Sequence, residues 1–242
     1  MAERIQHVCF DKDGTLIDVH QSWVPITQRR ALKIRQFYGL GEESHQALAL
    51  AMGVDLNRKK IMPGGPVGYQ PRPVIIEKTA AWLNAKNVPA TADQLAEIFR
   101  GVDRDIQEAD DFNAAALPGV VAGIKRLKQA GLKISVYTSD RHKNTERVLA
   151  LLGLEKDVDA IVGGDDVKKP KPDAEGFIKA CAAVGVPLAE SIYVGDTVDD
   201  MRMAGPAAYG IAQGLSSKEE LAAAACHVFD SFTALTEFLL QS

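Results

Sequence analysis

Apolar and polar positions follow two different rhythms along this chain. From residue 117 onward, short apolar runs alternate with stretches in which apolar residues recur every three to four positions, as expected of strands each followed by a helix. Strands are expected at 5–10, 132–137, 159–162, 191–194, 208–211 and 227–229, and helices at 118–130, 144–152, 173–184, 198–204, 216–225 and from 231. Gly131 and Gly153 stand where two of these helices should stop. The strand runs lack the period-two polar alternation of a half-exposed sheet, which suits burial on both faces of a parallel one.

Residues 18–116 carry only the helical rhythm, with helices expected near 24–38, 44–51, 74–85 and 91–108 and no strand. Between the second and third lies Met62-Pro63-Gly64-Gly65-Pro66-Val67-Gly68-Tyr69-Gln70-Pro71-Arg72-Pro73, whose prolines and glycines can join neither helix. The expected architecture is therefore α/β. A Rossmann-like, doubly wound parallel sheet is formed by 1–17 and 117–242, and an all-helical domain, 18–116, is inserted after the first strand, with linkers near 18–21 and 109–116.

Composition narrows the partners. At 242 residues and 46% hydrophobic, the chain can build one large core with an inserted smaller domain. A net charge of −4 and the absence of a long basic run argue against nucleic acid or an anionic membrane as partner. Cys9, Cys181 and Cys226 are odd in number, widely spaced and set among apolar neighbours, so they read as small buried side chains in a reducing compartment. With no signal-peptide core and no apolar run near the ~18 residues of a membrane span, the expected location is the cytoplasm. Neither a dinucleotide fingerprint nor a Gly-x4-Gly-Lys-Ser/Thr loop occurs.

The candidate chemistry lies at the expected strand ends. Val8-Cys9-Phe10 runs into Asp11-Lys12-Asp13-Gly14-Thr15, two carboxylates, a glycine and a hydroxyl where ligands bind in open α/β sheets. Ile134-Ser135-Val136-Tyr137 ends in Thr138-Ser139, Lys-Lys-Pro-Lys-Pro-Asp spans 168–173, and Ile192-Tyr193-Val194 runs into Gly195-Asp196-Thr197-Val198-Asp199-Asp200. Each segment alone has a bland reading: an acidic turn, a helix cap, a solvated loop charge. Four in order at strand ends or adjoining loops do not.

Together they resemble the four motifs of the haloacid dehalogenase superfamily, in its phosphatase branch, over roughly 5–22 and 117 onward. The resemblance implies that the inserted helices form a cap over the site. It implies that Asp11 is a nucleophile ionised at neutral pH. Because Asp11 and a phosphate ester repel each other, a cation is needed between them, and Mg2+ with oxygen ligands suits this role: Asp11, the backbone carbonyl of Asp13 and Asp196. The Asp13 side chain would act as general acid and then base, a role that carbon-halogen-cleaving relatives lack. Thr138 and Ser139 would bind the phosphoryl group. The family lysine precedes Pro-x-Pro, which selects Lys169 to hold nucleophile and phosphoryl group together. Asp200, four residues after Asp196, would supply a further acid that holds a metal-bound water or orients the lysine, whereas Asp199 would only cap the following helix.

The implied activity is hydrolysis of a small phosphorylated metabolite, such as phosphoglycolate or a sugar phosphate, through a phosphoaspartyl intermediate. A phosphomutase with the same motifs is the nearest alternative, and a non-catalytic phosphate-ligand binding protein is another. His20, Trp23, Arg29, Arg30, Arg58, Lys59, Lys60, Tyr69 and Arg72 are candidates for substrate selection, with the glycine-proline loop the region expected near the entrance. Oligomeric state stays open.

Overall fold

In the computed structural model, which describes residues 5–109 and 114–241, the chain divides into two units, Met1–Asp18 with Ala114–Ser242 and Val19–Asn113. The first unit opens with β1 (His7–Phe10), buried at all four positions. The second holds α1 (Val19–Phe37), α2 (Ser44–Ala51), the short strands β2 (Val54–Asp55) and β3 (Lys60–Ile61), α3 (Arg72–Asn84) and α4 (Ala92–Glu108). The first unit then resumes with α5 (Val120–Gln129), β4 (Lys133–Tyr137), α6 (His142–Leu151), β5 (Ala160–Val162), α7 (Glu175–Val184), β6 (Ser191–Gly195), α8 (Val198–Ala204), β7 (Ala208–Ile211), α9 (Lys218–Ala222), β8 (His227–Phe229) and α10 (Phe232–Gln241).

Six strands form one parallel sheet in the order β5-β4-β1-β6-β7-β8. The chain steps from β1 outward to β5 on one side, then returns to lay β6 to β8 on the other. That reversal beside β1 opens a crevice at the carboxyl ends of β1, β4 and β6. Phe10 is level with Val136 on β4 and Val194 on β6, so the residues after Phe10, Tyr137 and Gly195 leave the sheet close together.

Both faces of the sheet are covered, as the continuous apolar runs require. On one face Cys9, Tyr137 and Tyr193 pack with Phe177 of α7. Gly176 lets α7 approach, since a Cβ there would stand 2.1 Å from the Tyr137 ring. On the other face Phe10 stacks on Phe232 of α10 at 5.3 Å. The neck of the unit is closed by Asp18 N–H donating to the Ala115 carbonyl at 2.9 Å.

The inserted unit is mainly helical. Its α4 buries Leu95, Phe99, Val102 and Ile106, a stripe at helical spacing, and starts on a capping box between Thr91 and Gln94. Phe99 carries the buried Arg30 guanidinium 4.4 Å above its ring, and Arg30 also pairs with Asp103 at 3.1 Å. The expectation of no strand is corrected: β2 and β3 pair antiparallel, Val54 with Ile61 and Asp55 with Lys60. Two residues per strand give no readable period. What holds the turn is the Asp55 carboxylate, which accepts from the N–H groups of Asn57 and Arg58 and from the Gln46 amide. The glycine-proline loop is tied back to the end of α2, with Met62 N–H donating to the Gly53 carbonyl and Val67 N–H to that of Met52.

Two further expectations shift. Residues 19–21, expected as linker, are the first turn of α1, and of the second expected linker 110–113 lie outside the described residues. Cys226 is exposed, its thiol donating to the Pro206 carbonyl, whereas Cys9 and Cys181 are buried. Among the described residues no helix is long and apolar enough to cross a membrane.

Candidate active site

Asp11 continues β1 by one step, its N–H donating to the Val194 carbonyl at 2.8 Å, and the chain then curls sharply. The Lys12 carbonyl accepts from the N–H groups of Leu16 and Ile17 at 2.9 and 3.1 Å, closing a tight loop over 12–17. Gly14 makes the curl possible. Its φ is 85°, and a Cβ at this position would lie 2.2 Å from Oδ2 of Asp196.

Asp196 follows β6, where it is fully buried. One of its carboxylate oxygens accepts from the Leu215 N–H at 2.7 Å. Gly214 is required beside it, because a Cβ would fall 1.9 Å from that oxygen. Four residues on, the buried Asp200 turns one oxygen to the N–H and hydroxyl of Thr197, a capping box that starts α8. Its other oxygen accepts from Lys171 at 2.8 Å. Asp199 is half exposed and pairs with Arg202 at 3.4 Å.

The lysine brought to Asp11 is Lys171, not the expected Lys169. Lys169 points to solvent, 73% exposed, with its ammonium 3.7 Å from Asp173. Lys171 enters the crevice and donates to Asp11 at 2.6 Å, with its ammonium 5.2 Å from the rings of both Tyr137 and Tyr193. The anchor behind this difference is Glu175, in the first turn of α7. Its carboxylate accepts from the N–H groups of Lys168 and Lys169, which pins that stretch at the surface and leaves the next lysine to turn inward. In Lys-Pro-Lys-Pro both lysines precede a proline, so local sequence offers two candidates, and the deciding contact comes from a residue farther along the chain.

The other expected residues fall around the same crevice. Thr138 is buried just after β4, its hydroxyl oxygen accepting from the Asp140 N–H at 3.1 Å, and Ser139 beside it is exposed. The Asp13 carboxylate, 19% exposed, lies 2.6 Å from the ammonium of Lys12. Lys12, which sequence reasoning passed over, is itself buried and reaches Asp140 at 3.3 Å. Gly214, Leu215 and Asp140 were also missed. Nothing in the local sequence of Gly214 and Leu215 points to the site, since only the fold delivers their loop there, whereas Asp140 directly follows Thr138-Ser139.

Electrostatics mark the cluster as short of positive charge. Burial, with Asp200 and Asp13 nearby, pushes the Asp11 carboxyl up to about 7 despite Lys171. Burial, with Asp11 and Asp200, likewise raises Asp196 well above the carboxylate range. Burial alone would lower Lys171, but Asp11 and Asp200 outweigh it and hold the ammonium above the usual lysine value. Asp11, Asp196 and Asp200 each place an oxygen within 4.8 Å of the others. Hard oxygen donors, desolvated and under-neutralised, are the chemistry a small divalent cation takes. The residues present therefore fit Mg2+.

Comparison with known proteins decides the family. The model of the haloacid dehalogenase-like hydrolases matches residues 5–207, most of the sheet and the whole inserted unit. The chain belongs to that family. Among its relatives, Probable phosphatase IndB of Dickeya dadantii is 29% identical over 232 residues, covering 93% of this chain and 90% of that protein. Pyrophosphatase PpaX of Bacillus velezensis is 26% identical, covering 91% and 89%. A crystal structure titled as a predicted phosphoglycolate phosphatase from Haemophilus somnus superposes with a TM-score of 0.74 over 97% of both chains. At 18% identity that likeness speaks for this hydrolase's fold alone.

Proposed function

We propose that this hydrolase is a Mg2+-dependent phosphatase that cleaves a small soluble phosphomonoester through an aspartyl phosphate on Asp11. The observation that carries the reading is a buried carboxylate at the carboxyl end of β1, 2.6 Å from the Lys171 ammonium and grouped with Asp196. The phosphatase names of relatives spanning nearly the whole chain support it.

Asp11, Asp196 and the carbonyl of Asp13 would hold Mg2+, which supplies the positive charge that lets an anionic ester approach an anionic nucleophile. One Asp11 oxygen attacks phosphorus, the bond to the ester oxygen breaks, and Asp13 gives that oxygen its proton. Asp13 then takes a proton from the water that attacks the aspartyl phosphate, releasing phosphate and restoring Asp11. Lys171, rather than Lys169, holds Asp11 in line and balances charge as it spreads onto the phosphoryl oxygens, while Asp200 holds Lys171. Thr138 donates its hydroxyl to a phosphoryl oxygen and Ser139 its N–H. The inserted unit acts as the cap that selects the substrate, a small phosphorylated metabolite of the phosphoglycolate or sugar phosphate kind.

Phosphate release across a panel of phosphomonoesters and pyrophosphate, with Mg2+ and after its chelation, tests the reading. Turnover should require Mg2+, and Asp11→Asn should abolish it while leaving the fold intact, since the attacking anion is lost with little change in volume. Near-normal turnover in Asp11→Asn would remove the assigned nucleophile. Isomerised sugar phosphate without free phosphate would make the enzyme a mutase.

A further inference from the structure

Lys12 lies between the nucleophile and the acid-base aspartate, yet the proposed reaction gives it no task. It is 1% exposed, an expensive place for an ammonium unless its charge is matched. Two carboxylates from different strand ends match it, Asp13 at 2.6 Å and Asp140 at 3.3 Å.

Asp140 is a fixed post. One carboxylate oxygen accepts from the Arg141 N–H at 2.7 Å and the Asn144 amide at 3.0 Å. Its carbonyl accepts from the Gly164 N–H at 2.7 Å, and its own N–H donates to the Thr138 hydroxyl oxygen. Asp140 is thus bound to the α6 start, to the loop after β5 and to Thr138. The Asp13 carboxylate, on the tight loop over 12–17, is partly in solvent, and the Lys12 ammonium links it to this post.

We propose that Lys12 is a positioning residue: it ties the Asp13 carboxylate to Asp140, and so holds the proton donor in fixed register with the hydroxyl of Thr138. The inference rests on the phosphatase reading above. In the step concerned, the Asp11 oxygen bonds to phosphorus, the ester P–O bond breaks, and the Asp13 proton passes to the departing oxygen. A displaced Asp13 harms this step in proportion to how much the departing oxygen needs a proton. An alkoxide needs it; p-nitrophenolate does not.

The test compares kcat/KM, which covers events up to loss of the leaving group, for a simple alkyl phosphate and for p-nitrophenyl phosphate. In Lys12→Met, which keeps the side chain's length without its charge, kcat/KM for the alkyl ester should fall about 10- to 100-fold, with p-nitrophenyl phosphate falling less than about threefold. Asp140→Asn, which keeps the hydrogen bonds of Asp140 but weakens its hold on Lys12, should show the same selective loss, and it carries the test should Lys12→Met fail to fold. Equal loss on both esters in the folded variants, or no loss, would overturn the proposal and leave Lys12 a structural residue. Asp13→Ala separates the two layers. If it shows no preference between the esters, Asp13 is not the acid and the phosphatase mechanism itself fails; if it shows a strong preference and the Lys12 and Asp140 variants do not, only the positioning role fails.

Discussion

Exchanging each of two neighbouring lysines for methionine separates the structure from the sequence reading. Lys171 donates to Asp11 at 2.6 Å and Asp200 at 2.8 Å and is 9% exposed, so Lys171→Met leaves two buried carboxylates without their cation. Breaking a buried pair from one side costs about 3–5 kcal/mol. Saturating Mg2+ should recover part of that by binding only the folded form. Losing a preorganised cation from the transition state should lower kcat by at least about 10²- to 10³-fold. Lys169 is 73% exposed and 3.7 Å from its partner, so Lys169→Met should leave both stability and turnover unchanged. Urea unfolding with and without Mg2+, beside steady-state phosphate release, measures all of these quantities. Loss of turnover in Lys169→Met with retention in Lys171→Met would refute the placement of the lysine segment and the electrostatic argument built on it.

Two other perturbations read the scaffold of the site. Gly214→Ala would put a Cβ 1.9 Å from Asp196 Oδ2, against a carboxylate also fixed by the Leu215 N–H, so the loop or the aspartate must move. The expected result is a loss of about 1–3 kcal/mol and a roughly 10- to 100-fold weaker Mg2+ dependence of turnover, and an unchanged Mg2+ titration would count against Asp196 as a ligand. Away from the site, the buried His7 ring lies between Ser135 Oγ at 2.7 Å and Ser191 Oγ at 3.0 Å, and burial lowers its pKa from 6.5 to about 4, partly opposed by Asp159. Between those values the unfolded chain binds a proton that the folded chain refuses, so this contribution to stability is full above pH 6.5 and falls with acid, by roughly 3 kcal/mol at its limit. His7→Gln should flatten the slope of unfolding free energy between pH 6.5 and 4 relative to wild type, and parallel slopes would contradict the neutral buried imidazole.

What the sequence disclosed follows physical locality. Strands such as Val8-Cys9-Phe10 were legible because burial on both faces forces an unbroken apolar run, and α4 because one buried stripe repeats over its whole length. That Asp11, Thr138 and Asp196 come together at one crevice was legible because each directly follows a strand of the parallel sheet. The hairpin of β2 and β3 was not, since two-residue strands carry no period and the Asp55 carboxylate that holds their turn is itself positioned in part by Gln46, outside the pair. Lys171 was missed for a related reason. The choice between two lysines two residues apart is made by Glu175 gripping the backbone at Lys168 and Lys169, a tertiary constraint that motif spacing does not encode.

The same reasoning explains why the site is built from so many acids. Asp11, Asp13, Asp140, Asp196 and Asp200 share the crevice region with two ammonium groups, and the pairing is divided: Lys171 takes Asp11 and Asp200, Lys12 takes Asp13 and Asp140. Asp196 is left to neutral donors, the Leu215 N–H at 2.7 Å and the more distant Thr15 hydroxyl at 3.5 Å. A third lysine beside Asp196 would have reduced the excess of negative charge, but it would also have filled the place proposed for Mg2+. The deficit at Asp196 would then be what gives the proposed Mg2+ its affinity. Because Lys171 already pairs with Asp11 and Lys12 with Asp13, binding that cation would offset most of the remaining negative charge without reorganising the nucleophile or the acid.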